Sequence, residues 1–267
     1  MRKYLVFFRL RFSMGLQYRA AALAGIVTQF AWGAMEIALF RAFYHTDPGS
    51  FPMTFSAVSA YVWMQQAFLA LFMAWMMENE IFDDIVNGNI AYELCRPIDI
   101  YNMWFSRSLA NRLSKAVLRC MPILIFAAFL PAPYGLIPPV DFISFFFFLL
   151  TLVTGLSVTV AFCMLVYIVS FFTISPAGIR MVAVSMVDFF SGAVIPLPFF
   201  PEHIKHILEL LPFASMQNVP LRIYSGDLSG PAMWKAVLLQ LLWLLILVLM
   251  GKVLNFLAMK RIRIQGG

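Results

Sequence analysis

The sequence predicts an all-α integral membrane protein with six transmembrane helices, and three observations predict it. Hydrophobic residues make up 62% of the chain and charged residues 12%, with mean hydropathy +0.85, which leaves too little polar surface to cover a soluble globule. Apolar runs of about 20 residues, the length a helix needs to cross a hydrocarbon core of about 30 Å, occur six times. Lys and Arg are divided unevenly between the segments joining those runs, which is the asymmetry that orients a membrane protein. Continuous runs exclude a β-barrel, whose strands alternate in segments of about ten residues.

The elements follow in order along a single transmembrane domain over residues 1–267. Residues 1–19 precede the first run. On a helix over residues 2–18, Arg2, Lys3, Arg9, Ser13 and Gln17 share an arc of about 120°, opposite Leu5, Phe8, Phe12 and Leu16, with Arg11 breaking the pattern. This predicts an N-terminal interfacial helix with basic side chains toward lipid phosphate; a basic tail that only obeys the orientation rule is the alternative. Charge continuing to Arg19 and a full-length run behind it differ from a cleavable signal peptide. Spans one and two, at 20–43 and 54–77, fill the segment 20–77.

Residues 78–118 form the main cytoplasmic feature. Glu78, Glu80, Asp83 and Asp84 alternate with Ile81, Phe82, Ile85 and Val86 as far as Asn87-Gly88, the pattern of an amphipathic helix closed by a glycine C-cap. Arg96-Pro97 bends the chain, Asp99 is placed to cap a second helix, and Arg107, Asn111, Lys115 and Arg119 recur every four residues on one face. That helix is expected to run along the membrane surface into span three. An acidic, apolar knuckle between short helices suits insertion into a groove on a partner, although a solvated connector carries similar charge.

Spans three to five, at 119–136, 142–172 and 181–198, fill 119–198. The stretch 142–179 holds no charge, and at 1.5 Å per residue it must tilt, kink or project beyond the bilayer. In the external segment 199–232 and its approach, Pro196, Pro198, Pro201, Pro212, Pro220 and Pro231 interrupt Phe199, Phe200, Leu210, Leu211 and Phe213. This predicts re-entrant helices whose backbone ends other spans bury. Span six occupies 233–259 and a basic tail 260–267.

The side holding both termini collects fifteen basic residues in four groups: Arg2 to Arg19, Arg96 to Arg119, Arg180, and Lys252 to Arg263. The other side has Arg41, Lys205, Arg222 and Lys235. Both termini are therefore expected in the cytoplasm and the chain in the inner, or plasma, membrane. The net charge of +6 is mostly this topology signal, so no nucleic-acid partner is implied.

Little in the sequence points to catalysis. Cys95, Cys120 and Cys163 form no CxxC pair, which suggests neither disulfides nor zinc. His203, His206 and Glu209 share three-residue helical spacing, but Lys205 beside them and the lack of a further ligand favour a plain amphipathic helix over a metal site. GxSxG, HExxH, paired-carboxylate and GxxxxGK[ST] motifs are absent. The chain is thus expected to be no enzyme, and any coupling to nucleotide must come through a second polypeptide. Glu36 and Asp188, with Gln65 and Gln66, are the polar candidates for a transport path inside the spans; satisfaction by a neighbouring span is the alternative.

The residues resemble the ABC-2 type permease subunits of ATP-binding-cassette exporters, in particular the ABC-2 family transporter proteins. The resemblance runs end to end. It rests on Gly88-Asn89-Ile90-Ala91-Tyr92-Glu93-Leu94-Cys95-Arg96-Pro97, on Ser191-Gly192-Ala193-Val194-Ile195-Pro196-Leu197 with Phe200-Pro201 and Leu211-Pro212-Phe213, on 220–226, and on Gln265-Gly266-Gly267. It implies a type V exporter-like fold with an N-terminal interfacial helix, a cytoplasmic coupling helix and extracellular re-entrant helices. It further implies that Glu78, Glu80, Ile81, Phe82, Asp83, Asp84, Ile85, Gly88, Glu93 and Arg96 dock a separate P-loop ATPase that binds ATP and Mg2+. A second permease, identical or paralogous, would complete a dimer exporting a hydrophobic or amphiphilic compound such as a drug, a lipid-like molecule or a peptide. An ATP-independent channel or secondary transporter is the rival class; inverted repeats would mark it, and no convincing one is present.

Overall fold

The computed structural model describes residues 2–46, 49, 51–173 and 175–261, and all its regular elements among these residues are helices. Helix α1 (Arg2–Gly15) is followed by α2 (Arg19–Thr46) and α3 (Phe55–Phe72). A short 3-10 turn (Ala74–Met76) leads to α4 (Asn79–Val86), α5 (Ile90–Leu94) and α6 (Ile100–Phe129). Then come α7 (Phe142–Ser170), α8 (Pro176–Phe190), a second 3-10 turn (Leu197–Phe199), α9 (Glu202–Leu210), α10 (Asn218–Tyr224) and α11 (Gly230–Arg261).

Among the described residues, four helical stretches are long and apolar enough to cross a membrane: α2, Phe55–Val86, α7 and Gly230–Lys260 of α11. The runs expected as spans three and five take other forms. The first is the C-terminal part of α6, which continues unbroken through Pro122 and joins the expected surface helix to the expected span. Its 30 residues make a rod of about 45 Å. The second is α8, whose 15 residues reach only about 22 Å, since the charge-free stretch breaks after Ser170 and restarts at Pro176.

Local chemistry sets several boundaries as expected. Asp99 accepts from the Asn102 amide at 2.8 Å and starts α6, and Gly88, at φ +74°, takes the left-handed conformation that closes α4. Asp141 likewise caps α7 by accepting from the Ser144 amide at 2.5 Å. Helix α3 is buried on nearly every side, packed by α2, α6, α7 and α10, while α7 also meets α11 and α8. Tyr61, Met64, Trp104, Phe148, Met164 and Tyr167 form the heart of the core. The flanking helices keep large apolar faces outward, with Leu23, Val27, Trp32 and Met35 on α2 and Leu238, Leu245, Leu249 and Val253 on α11 all exposed. Faces of that extent belong in lipid.

Small and polar residues allow close approach inside the bundle. Gly155 of α7 lies so near the Met216 carbonyl that a Cβ would collide with backbone. Beside it Gln240 of α11 is fully buried, donating to Thr151 O at 3.0 Å and Ser215 O at 2.8 Å and accepting from Thr154 Oγ1 at 2.5 Å. One side chain thus ties three segments together, the use that buried amides have between membrane helices.

Helix α1 departs from its expected face. Leu5 is 68% exposed, whereas Arg11 turns toward the protein and reaches Glu80 at 3.7 Å. Helix α1 lies along α6, where Ser106 Oγ donates to Tyr4 O and the Asp99 amide to the Tyr4 hydroxyl. These contacts fix its roll, so Arg2 and Arg9 share the outer face with exposed Val6, Leu10 and Met14.

Candidate functional site

The segment between α3 and α6 is a projecting knuckle with a tied root. Helix α3 ends at Phe72 although no Pro or Gly is there, and Met73 is extended (φ −70°, ψ 125°). Arg112 of α6 explains the break. It is 2% exposed, and its Nη1 donates to the carbonyls of Ala70 (3.4 Å), Leu71 (3.2 Å) and Met73 (2.9 Å), with Nη2 3.4 Å from Cys163 Sγ. A cation here satisfies carbonyls orphaned at the helix end and meets the negative end of its dipole.

The next residues are held from several sides. The Glu78 amide donates to the Tyr167 hydroxyl at 2.6 Å. Arg107, almost fully buried, pairs with Glu80 and lies 4.0 Å from Glu78, and Arg11 adds a second cation at Glu80. Arg180 of α8 donates to Asn79 Oδ1 at 2.5 Å and Trp75 O at 3.1 Å, and stands over the Phe82 ring at 5.7 Å. Ile81 and Phe82 are buried, Phe82 against Tyr167 with ring centroids 5.0 Å apart. Glu93 is bound inward by Trp104 Nε1 at 2.7 Å. Of the residues expected to dock a partner, Glu78, Glu80, Ile81, Phe82 and Glu93 therefore anchor the knuckle to the bundle. Asp83, Gly88 and Arg96 are exposed, and Asp84 and Ile85 lie at its edge. Between them Val86, Tyr92 and Leu94 are exposed, Tyr92 by 75%. A groove of about 680 Å3, lined by Asn79, Asp83, Val86, Pro176, Arg180 and Met181 among others, runs from this knuckle to α8.

The basic face of α6 differs from the expected one. Arg107 and Arg112 are internal ties, and Asn111, Lys115 and Arg119 line a cleft with Arg11 and Glu80, with Arg119 packed on Gly25 of α2. The four-residue repeat faces α1 and α2 because α1 covers that side of the helix.

Inside the bundle, Gln66 Nε2 donates to Glu36 Oε2 at 3.5 Å, so α2 and α3 bring two of the path candidates together. Gln65 faces elsewhere and donates to Ala193 O at 2.8 Å, beside Tyr61, whose hydroxyl donates to Gly192 O at 3.3 Å. Asp188 is half-buried on α8, and no described hydrogen bond joins it to the others. Around Tyr61 and Gln65 the side chains of Ser191, Gln217 and Asn218 are buried, and Ser191 Oγ and Asn218 Oδ1 are unpartnered among the described residues. Buried polar groups of this kind suit water or a polar solute.

In the segment 199–232 Glu209 turns to Arg222 at 2.5 Å and His206 to Glu202 at 3.6 Å, and among the described residues no group of three ligands could hold a metal. Arg222 is buried and also pairs with Asp227 at 2.5 Å. Burial alone would lower its pKa, but the Asp227 and Glu209 carboxylates outweigh burial and hold it above the ordinary arginine value.

Arg112, Gln240 and Arg222 were not among the sequence candidates. A Gln inside an apolar run was the available signal for Gln240, whereas Arg112 looked like one more residue of a basic helix.

The Gln265-Gly266-Gly267 motif lies outside the described residues. No curated protein and no solved structure matched the chain. Residues 30–266 match the family model described as ABC-2 family transporter protein, and the chain, a multi-pass membrane permease, belongs to that family.

Proposed function

We propose that this permease subunit couples ATP hydrolysis by a separate P-loop ATPase to export of a hydrophobic or amphiphilic compound. The observation that carries the reading is the division of labour in the α4–α5 knuckle. Its tip offers Val86, Tyr92 and Leu94 beside Asp83 and Asp84, an apolar patch with an acidic edge that suits a groove on a partner. Its root is tied by Arg11, Arg107, Arg112 and Arg180 to α1, α6 and α8, so displacement of the tip is carried into the bundle rather than lost in a loose loop. ATP and Mg2+ belong to the partner, which performs the phosphoryl transfer. This chain contributes the path, for which Glu36, Gln65, Gln66 and Asp188 are the polar candidates. Two such permeases, identical or paralogous, would enclose the cavity, with both termini cytoplasmic and the segment 199–232 re-entering the outer leaflet.

The test replaces Asp83 and Asp84 with Lys and Tyr92 with Ala in the assembled transporter. Insertion should be unchanged while transport falls severalfold and ATP hydrolysis no longer responds to the permease. Transport and hydrolysis equal to those of the wild type would overturn the docking assignment.

A further inference from the structure

A groove between α2, α3 and α6 lies apart from the knuckle and from the polar cluster. It encloses about 460 Å3 and is lined by Ala31, Ala34 and Ala38 of α2, Trp63 of α3, Phe126 of α6 and Tyr134 just beyond it. Three alanines leave room on the α2 side, and the aromatic wall is fixed. Phe30 and Phe126 centroids are 4.7 Å apart, Trp63 and Phe126 5.8 Å, and Trp63 Nε1 donates to Tyr134 O at 2.8 Å. The alanines and Phe126 are exposed, so the groove opens sideways onto whatever surrounds the helices.

Its dimensions select the occupant. The lining on α2 runs from Phe30 to Arg41, about 16 Å of helix, close to the roughly 15 Å hydrocarbon depth of one leaflet. A linear hydrocarbon chain matches that length and the apolar lining.

The groove lining carries one charge, Arg41, at one end. Arg41 Nε donates to His45 Nε2 at 3.4 Å and the guanidinium stands 5.5 Å over the Tyr134 ring. Among the described residues no ion pair engages it, which leaves its two terminal nitrogens as a fork of the geometry that takes a phosphodiester. We propose that this groove binds one glycerophospholipid of the surrounding leaflet, with an acyl chain along the Ala31, Ala34 and Ala38 face and the phosphate on Arg41. The site depends on the chain being embedded in a membrane and not on its coupling to an ATPase.

The experiment reconstitutes the full chain in phosphatidylcholine vesicles containing a minority of phosphatidylglycerol, with a trace of phosphatidylglycerol carrying a diazirine in its acyl chain. Adducts formed on illumination are mapped by mass spectrometry. Labelling should concentrate on peptides covering residues 30–38 and 126–134. Ala34→Trp, which fills the groove, should remove that labelling and spare the adducts on α11. Arg41→Gln, on the exposed helix end, should lower it severalfold, and Arg41→Lys should restore part of it. Labelling spread evenly over the outer faces of α2 and α11, or unchanged in Ala34→Trp and Arg41→Gln, would overturn the proposal. So would an efficient disulfide between two copies of an Ala34→Cys variant in the same vesicles.

Discussion

Replacing Arg112 by Met removes the cation that ends α3 while keeping an unbranched side chain of similar reach. Arg112 donates to three carbonyls, two of them well formed at 2.9 and 3.2 Å and one long at 3.4 Å. A hydrogen bond from a charged donor contributes about 1.5–3 kcal/mol, and a buried acceptor left without a partner costs about 1–3 kcal/mol. Against that, Met recovers the several kcal/mol spent on taking a guanidinium out of water. The balance is a loss of about 2–4 kcal/mol, concentrated at the turn after α3, because the acceptors left unpaired are there. At about 1.4 kcal/mol per factor of ten, local opening becomes roughly 30- to 700-fold more frequent. Hydrogen exchange of the purified permease measures it directly. The amides of Met76 and Met77, bonded to Met73 O and Ala74 O, should lose protection by that factor while the middle of α7 changes little. Arg112→Lys, which keeps the charge with fewer donors in reach, should fall between. Protection at Met76 and Met77 equal to the wild type in Arg112→Met would refute the claim that Arg112 holds the break.

Three more outcomes follow, two from buried ties and one from an exposed helix cap. Arg222→Met strands the half-buried Glu209 and Asp227 carboxylates and should destabilise the segment 199–232 by about 2–4 kcal/mol, read as faster proteolysis between α9 and α11, with Glu209→Gln partly reversing it. Gln240→Leu takes the Gln240 donor from Ser215 O and from Thr151 O, which keeps Thr154 Oγ1, and should cost about 1–2 kcal/mol, seen as a lower melting temperature in detergent; an unchanged melt would remove Gln240 as the tie among three segments. The Asp141 carboxyl is held below the usual aspartate range by the Ser144 side chain and amide. A depressed folded value means that the cap contributes fully above the unfolded pKa and is lost as pH falls through the folded one. Melting of Asp141→Ala should therefore trail the wild type at neutral pH, with the gap narrowing in acid.

The legible parts of the fold were those written in local chemistry. Asp99 before an apolar run and Gly88 after an amphipathic turn each state a helix boundary in the residues themselves. The break after Phe72 was not legible, because its cause is Arg112, supplied by a helix forty residues away in the sequence and closed in space. Arg107 and Arg112 illustrate the limit from the other side. Periodicity puts basic residues on faces, but it does not say whether water, lipid or another helix meets a face. Helix α1 meets part of it, drawn there by Glu80 through Arg11, the one residue that broke the expected stripe. At the knuckle the sequence marked the segment correctly as structured and acidic, yet it gave no means of separating residues that anchor from residues that project. Ile81 and Phe82 have the apolar character of a contact surface and are spent on the core, while Tyr92 and Val86 stand outside. Inside the bundle, Glu36 and Gln66 share a hydrogen bond as polar residues in neighbouring spans do, and Asp188 has no such partner among the described residues.

The most direct test of the central claim is a mild-detergent pull-down of the tagged full chain from native membranes, with copurifying proteins identified by mass spectrometry and the eluate assayed for ATP hydrolysis. A P-loop ATPase at one copy per permease is expected, with hydrolysis in the eluate, and loss of both when Asp83 and Asp84 become Lys and Tyr92 becomes Ala. A chain recovered alone from membranes in which it is abundant, with no nucleotide hydrolysis, would contradict it and return the weight to a channel or secondary transporter.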